Sequence, residues 1–590
     1  MEQAKANAER AMFLMRGLEA LGVRDFVLSP GSRNTPLILA LEALVSDGAS
    51  IRLHRILDER SAGFFALGLG RSTGQPAALV CTSGTAGAHY LPAVIEADQS
   101  YVPMLVLTAD RPEELHGCGA LQTVEQEDFF GSHTRLTTRF SAPGADESQT
   151  VGWVLGAVSR SVDAAVGARP GPVHLNIPFR EPLWDADVDF QQAGVSPSVA
   201  SVMRSEPTLG PSETERLRAL MNESTRVVIV AGPKHGPRGR DDGALREQVT
   251  QVARERGWPV IAEPDSGLRF GAPVDDVVMG AADSFLRDSE VSQRLAPELV
   301  IRIGQTPTSK PVRHWLRDHA HGKVILVDAF GSRQDPDHTA RELVVTSAKN
   351  FIASCVCLGE DVSVDPDWLG LWRAVEAAAR AAMTDLKGER PWEGAVAQRL
   401  VECMPSGGLL HVANSMPIRD LDGFGGVRSE VIEVFSNRGA NGIDGMLSTA
   451  VGEALGRGAR LVAYAGDLTA LHDLSGFLVA KQADVCVTLV VVDNRGGGIF
   501  EHLPISEHPT AFESNFITPH DHDIASIATA LGARAHRVES IEAFADALVD
   551  ELERPGLGVV VLRVDRTWNT AEHRRIWSAV GKRAREELGR

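Results

Sequence analysis

The chain has 590 residues, too many for a single hydrophobic core, and calls for about three or four domains. Its 43% hydrophobic and 23% charged residues are ordinary for a globular protein, and a net charge of −19 argues against generalised nucleic-acid binding. No run of 18 apolar residues predicts a membrane span, residues 1–21 read as an amphipathic helix and not a secretory signal, and six cysteines without metal-ligand spacing read as reduced thiols of a cytoplasmic protein.

Residues 1–185 alternate helix and strand. Strands are predicted at 25–28, 51–56, 77–81, 104–108 and 173–177, and the first four run into the loops 29–36, 57–60, 82–87 and 109–112. Polar and Gly-rich loops gathered at strand ends are the pattern of a doubly wound parallel sheet. Glu59 opens a helix of small residues, where a carboxylate either caps the N-terminus or sits half-buried against a ligand. Ser83-Gly84-Thr85 is either a plain turn or a loop that lets a flat heterocycle approach the backbone. Gly68, Gly70 and Gly74 end a helix instead of following a strand, so they read as a helix C-cap and turn, not a dinucleotide fingerprint.

Residues 186–212 are rich in Ser, Pro and acidic side chains and predict a linker. A second α/β unit follows over 213–355, with strands at 226–231, 260–262, 299–303 and 324–327. Residues 356–392 are again linker-like, apart from a helix over 368–383. Residues 393–590 form a third α/β unit with strands at 409–412, 430–435, 461–465, 485–492 and 559–564. The fold class is therefore α/β, with three doubly wound parallel-sheet domains.

Within the third unit, 461–465, 469–482 and 485–492 read as strand, helix, strand, with Leu471, Leu474, Leu478 and Val479 on one helix face. Such a crossover makes the strands parallel and brings Asp467 and Asn494 to one carboxyl edge. A carboxylate and an amide oxygen beside a Gly-rich loop suit a hard cation, Mg²⁺ or Mn²⁺, bridging a diphosphate. The same pair also suits an ordinary strand end and turn. Arg33, Arg111, Arg419 and Arg438 fall just past predicted strand ends, and Lys310 sits similarly. Each alone is compatible with a surface ion pair; five together point to a substrate with several carboxylates. No phosphate-binding Gly-x-x-x-x-Gly-Lys-Ser/Thr run and no His-Glu-x-x-His or paired-Cys zinc motif occurs.

These motifs resemble the thiamine-diphosphate enzymes, and more narrowly the 2-succinyl-5-enolpyruvyl-6-hydroxy-3-cyclohexene-1-carboxylate synthases of menaquinone biosynthesis. The similarity runs over nearly the whole chain. It is strongest at 29–36, 57–60, 82–87, 108–112, 414–419, 436–445 and 466–500. The Ser-Pro-Gly-Ser-Arg loop and the Ser436 to Gly445 run are untypical of pyruvate decarboxylases and acetohydroxyacid synthases.

The resemblance implies thiamine diphosphate as cofactor, with Glu59 bonded to its aminopyrimidine ring. It implies Mg²⁺ or Mn²⁺ held by Asp467, Asn494 and the Gly496 carbonyl. Ser83, Gly84, Thr85, Ser415, Gly466, Leu468 and Ile499 would complete the cofactor site, and Ile443 would be the apolar wedge that bends the cofactor. Ser32, Arg33, Arg111, Gln122, Lys310, Ser415, Arg419 and Arg438 would hold substrate carboxylates, and Ile499, Phe500 and Leu503 would line the cavity. Glu59, Arg33, Arg419 and Arg438 are the residues expected to carry catalysis. The implied reaction decarboxylates 2-oxoglutarate and adds the product carbanion to isochorismate. A homo-oligomer, dimer or tetramer, is implied, with Glu59 of one subunit meeting the metal domain of another. The middle domain is expected to be structural apart from Lys310. Two departures stand out: Gly466-Asp467-Leu468 replaces Gly-Asp-Gly and Asp493-Asn494 replaces Asn-Asn, while Leu121 precedes Gln122 where some members have Asn. The rival readings are another thiamine-diphosphate decarboxylase or carboligase, and a non-catalytic regulator that merely binds the cofactor.

Overall fold

The computed structural model describes residues 1–144, 149–191, 199–200, 202–237, 242–355, 365–385, 390–508 and 510–589. Both predicted linkers therefore lie partly outside the described residues, as does Cys357. Among the described residues the strands form three six-stranded sheets, and every pairing in them is parallel.

The first sheet contains β1 (Asp25–Leu28), β2 (Arg52–Arg55), β3 (Ala77–Cys81), β4 (Met104–Asp110), β5 (Leu136–Arg139) and β6 (Pro172–Pro178), in the order β2-β1-β3-β4-β6-β5. The second contains β7 (Val227–Ala231), β8 (Val260–Ala262), β9 (Val278–Met279), β10 (Leu299–Ile303), β11 (Val324–Val327) and β12 (Ala340–Val344), in the order β12-β11-β10-β7-β8-β9. The third contains β13 (Gly408–Val412), β14 (Ile432–Ser436), β15 (Leu461–Gly466), β16 (Val487–Asp493), β17 (Arg534–Val538) and β18 (Leu557–Arg563), in the order β14-β13-β15-β16-β18-β17. Counted within each sheet, the first and third share one strand order. The middle sheet has the order of dinucleotide-binding folds.

The central strands are buried on both faces and read as continuous apolar runs, as parallel strands must. β5, β9, β12 and β17 are additional to the sequence prediction. All four are edge strands: β5 alternates half-buried and exposed residues, β12 and β17 have few buried ones, and β9 has two residues. The helix predicted over 469–482 is two helices, Asp467–His472 and Ser475–Ala483, and Leu478 is exposed instead of joining an apolar face. Buried Asp473 marks the break. Its carboxylate accepts from the Ser448 N–H at 2.8 Å and the Ser448 hydroxyl at 3.0 Å, at the start of helix Met446–Arg457.

Two packing features join the units. Helix Glu59–Thr73 crosses helix Met446–Arg457 with backbones in contact: a Cβ on Gly68 would lie 2.1 Å from the Thr449 carbonyl oxygen, and one on Gly452 would lie 2.2 Å from that of Phe65. Gly74 ends the first helix with φ of 75°, the C-cap that its sequence predicts. The second feature is a pair of helices wrapped into the middle core. Trp368, Trp372, Val375 and Ala379 of helix Trp368–Asp385 are buried there, together with Ile576, Val580 and Ala584 of the last helix, Arg566–Leu588. The middle core thus takes one helix from the predicted 356–392 linker and one from the end of the chain.

Candidate active site

β15 and β16 are adjacent, with Gly466 paired to Val492, so Asp467 and Asn494 emerge side by side at the carboxyl edge of the third sheet. They open into a cavity of about 600 Å³ between the third and middle units. Ser415, Arg419, Arg438, Ile443, Gly466, Asp467, Leu468, Asn494, Gly496, Ile499, Phe500 and Leu503 all line it.

The anchor end of the cavity is built around Asp467 and Asn494. Asp467 is buried and accepts from the Leu468 N–H at 2.6 Å and the Gly496 N–H at 2.8 Å. Burial pushes its carboxyl up to about 6 despite those donors. His520 Nε2 stands 3.3 Å from the same carboxylate. Asn494 donates its amide N–H to Glu393 at 2.6 Å, while its buried Oδ1 has no partner. Gly496 has φ of 149°, and a Cβ there would lie 2.4 Å from the Ile517 carbonyl oxygen, so no larger residue keeps this turn. A buried carboxylate beside an unsatisfied amide oxygen and the Gly496 carbonyl is a donor set that fits a hard divalent cation.

The opposite wall is cationic. The Arg438 guanidinium donates to Asn414 Oδ1 at 2.6 Å, and the Asn414 amide donates to the carbonyls of Asn437 and Gly442 at 2.7 Å each. Arg419 donates to the Ser415 carbonyl and projects into the cavity. Arg419 keeps solvent contact, yet partial desolvation by the cavity wall, and then the neighbouring Arg438, lower its pKa. Among the described residues neither arginine forms a salt bridge. Ser415 holds φ of 71° and ψ of −131° at the head of helix Met416–Phe424, a strained backbone of the kind concentrated at binding sites. Two unneutralised guanidinium groups facing one pocket form a receptor for carboxylates.

The predicted residues of the first unit gather elsewhere. Arg111 donates to the Ser83 hydroxyl, and Gln122 donates to the Ser83 carbonyl at 3.0 Å. A Cβ on Gly84 would lie 2.9 Å from Gln122 Cγ. Arg33 is buried, donates to the Phe179 carbonyl at 2.8 Å and pairs with exposed Glu181 at 2.8 Å, leaving its Nε unpartnered. Burial and the neighbouring Arg33 lower the Arg111 pKa, which places both guanidinium groups in one field. Ser32 and Thr85 are exposed on this edge, and half-buried Glu59 opens its helix beside the Asp58 cap. None of these side chains lines the 600 Å³ cavity, so one chain presents the candidate residues as two separate halves.

Lys310 is exposed at the head of helix Lys310–His319 and lies outside the cavity lining; Arg313, one turn along, lines it. Gln305, Thr306 and Gln334 of the middle unit, with Glu393 and Asn414, also line the cavity and were not singled out from the sequence. Asn414 lay inside a recognised motif. The others follow strands or open helices without a pattern that separates them from ordinary polar residues.

Comparison with known proteins follows the same division. Residues 9–129 match the N-terminal TPP binding domain of thiamine pyrophosphate enzymes, 218–412 match the middle domain, and 433–562 match the C-terminal TPP binding domain. The chain is 39% identical over 572 residues to the 2-succinyl-5-enolpyruvyl-6-hydroxy-3-cyclohexene-1-carboxylate synthase of Chloroflexus aurantiacus, covering 96% of this chain and 95% of that one. The chain belongs to this synthase family. It is also 38% identical over 583 residues to the synthase of Geobacillus kaustophilus, covering 98% and 99% of the two chains. Against the Haloarcula marismortui synthase it is 39% identical over 585 residues, covering 96% of each. In the frame of this synthase family, the first and third sheets are the two cofactor-binding domains, and the shared strand order is a property of that pair.

Proposed function

We infer that the chain is a thiamine-diphosphate-dependent transferase. It decarboxylates 2-oxoglutarate and adds the resulting succinyl carbanion equivalent to isochorismate, giving 2-succinyl-5-enolpyruvyl-6-hydroxy-3-cyclohexene-1-carboxylate and CO₂ in menaquinone biosynthesis. The observation that carries this reading is the single cavity with Asp467 and Asn494 at one end and, at the other, Arg419 and Arg438, which form no salt bridge among the described residues. One end suits a metal-bridged diphosphate, and the other suits the carboxylates that both substrates carry.

Asp467, Asn494 Oδ1 and the Gly496 carbonyl would hold Mg²⁺ or Mn²⁺, and Ile443 would press on the cofactor from the cavity wall. When bound, thiamine diphosphate supplies the electron sink for decarboxylation and carbon–carbon bond formation. Arg419 and Arg438 orient the substrate by gripping its carboxylates, which fixes the reacting carbon without moving a proton. Ile499, Phe500 and Leu503 line the same space and would exclude water from it once substrate is bound. Glu59 would hold a proton against the cofactor's pyrimidine ring.

Glu59, Arg33, Arg111 and Gln122 lie outside the cavity of their own chain, so a second subunit would supply them. The surroundings support this: Leu57 and Leu121, beside Glu59 and Gln122, are 81% and 88% exposed, and Leu478 is 52% exposed. We place the working site between the first unit of one subunit and the third unit of another, in a cytoplasmic dimer or tetramer. Among the described residues, no helix is long and apolar enough to cross a membrane.

The decisive experiment incubates the protein with 2-oxoglutarate, isochorismate, thiamine diphosphate and Mg²⁺ and weighs the products. The expected result is CO₂ and the mass of the succinyl adduct. No adduct there, with CO₂ released from pyruvate in a parallel incubation, would instead identify another carboligase.

A further inference from the structure

Asn494 is the ambiguous member of the cation site. An amide side chain offers an oxygen on one side and two N–H donors on the other, and only the oxygen ligates a cation. Something must decide which side faces the cavity.

The structure supplies one group at the right place. Glu393, the first residue of helix Glu393–Cys403, is 2% exposed, and its Oε1 accepts the Asn494 Nδ2–H at 2.6 Å. A carboxylate oxygen accepts, so this contact turns Nδ2 inward and leaves Oδ1 free on the other side. Gly498 leaves the room for it, because a Cβ there would lie 2.6 Å from Asn494 Nδ2.

Glu393 is itself held from behind. Its backbone N–H donates to Asn569 Oδ1 at 2.9 Å. His573 Nδ1 donates to the Asn569 carbonyl at 2.8 Å, and His573 Nε2 meets Asp420 Oδ1 at 2.8 Å. Glu393, Asp420 and His573 are all buried, with one atom of each lying within 4.8 Å of the others. Three helices, starting at Glu393, Met416 and Arg566, therefore converge behind the end of β16. Polar groups this deep are costly unless they fix something, and the group they reach is the Asn494 amide.

We propose that Glu393 is a positioning residue of the metal site, accepting the Asn494 amide N–H so that Oδ1 faces the cation, with Asn569, itself bonded to His573, holding the Glu393 backbone in place. The proposal rests on reading Asp467 and Asn494 as the cation site.

The test measures Mn²⁺ binding at saturating thiamine diphosphate, reading free Mn²⁺ by electron paramagnetic resonance. Wild-type protein that binds no Mn²⁺ would overturn the site reading and the proposal together. With wild-type binding established, Glu393→Met is expected to raise the Mn²⁺ Kd by about 10–100-fold. Glu393→Gln, whose carbonyl accepts the same N–H, is expected to stay within about threefold of wild type. A Glu393→Met protein that binds Mn²⁺ like wild type overturns the positioning role and leaves the site reading intact.

A second comparison uses only shape-conserving changes and decides the matter if Glu393→Met does not fold. Asn494→Asp sets two carboxylates against each other and is expected to weaken Mn²⁺ binding. Adding Glu393→Gln returns a donor to the pair, and binding is expected to recover by about tenfold. Recovery in the Asn494→Asp background, with no gain in wild type, requires direct contact between the two side chains. An equal effect of Glu393→Gln in both backgrounds overturns the proposal.

Discussion

Arg419 and Glu263 show how much a single ionisable side chain decides here. Arg419 faces the cavity and, among the described residues, has no carboxylate of its own, which under the proposed function leaves it free for a substrate's. A charge-assisted bond to a substrate carboxylate is worth about 1.5–3 kcal/mol. Arg419→Ala is therefore expected to lower kcat/KM for 2-oxoglutarate by about 10–100-fold, while the thiamine diphosphate Kd moves less than about twofold. Steady-state kinetics with cofactor titration check this, and equal losses in both would count against a substrate clamp. Glu263 is buried and accepts the Ser309 N–H at 2.9 Å, with Oε2 unpartnered. Burial, then Asp422 and Asp265, push its carboxyl from 4.5 up to about 8. The folded chain keeps this proton where the unfolded chain has lost it. The stability it contributes is full below about 4.5 and is lost as pH rises through about 8. Urea unfolding at pH 6, 7 and 8 is expected to show stability falling by up to about 1.4 kcal/mol per pH unit from this group, and a flatter curve in Glu263→Gln. At this scale the sequence exposes what chemistry marks by residue type. Asp467, Asn494, Arg419 and Arg438 follow strand ends and stand out; Glu393 and Arg313 sit on helices, and only the packing of distant elements brings them to the cavity.

Between elements, the crossing of helices Glu59–Thr73 and Met446–Arg457 depends on missing side chains. A methyl group on Gly452 has backbone in its way and cannot be absorbed by a rotamer change. Gly452→Ala is expected to cost about 3 kcal/mol in urea unfolding. Gly370→Ala, in helix Trp368–Asp385 where an added Cβ meets nothing within 4 Å, is expected to be neutral or to stabilise by up to about 1 kcal/mol. A gain in both would show that the helices part easily. The same scale explains what sequence patterning reads and misses. Central parallel strands such as β3, β10 and β16 are buried runs that announce themselves. Edge strands such as β5, Leu-Thr-Thr-Arg, are half in water and look like loops. Continuous helical spacing over 469–482 hides a break, because Asp473 satisfies a neighbouring helix and not its own.

For the molecule as a whole, the separation of Glu59 from the Asp467 cavity sets a complementation experiment. Glu59→Gln and Asp467→Asn proteins are each expected to be inactive. Reassorted together, half of the dimers are mixed, and each mixed dimer carries one intact site, so about a quarter of wild-type activity is expected to return. No recovery would mean that the site closes within one chain. The division of the chain into three α/β units is legible because each repeats the rhythm of strand, loop and helix. The membership of the last helix is not legible, since its pairing with Trp368–Asp385 is a contact between segments almost 200 residues apart.

That last helix has a consequence for how the protein is made. Ile576, Val580 and Ala584 are part of the middle core, yet they leave the ribosome only after the whole third sheet has been made. At about 5–20 residues per second, roughly 10–40 s of synthesis separate the helix ending at Asp385 from the one ending at Leu588. Throughout that interval the nascent middle unit carries an apolar groove with no tenant, exposed to chaperones and to neighbouring chains on the same message. The order of translation thus makes helix Arg566–Leu588 the closing stitch of a domain begun near residue 211, and a ribosome stalled short of it leaves that seam open.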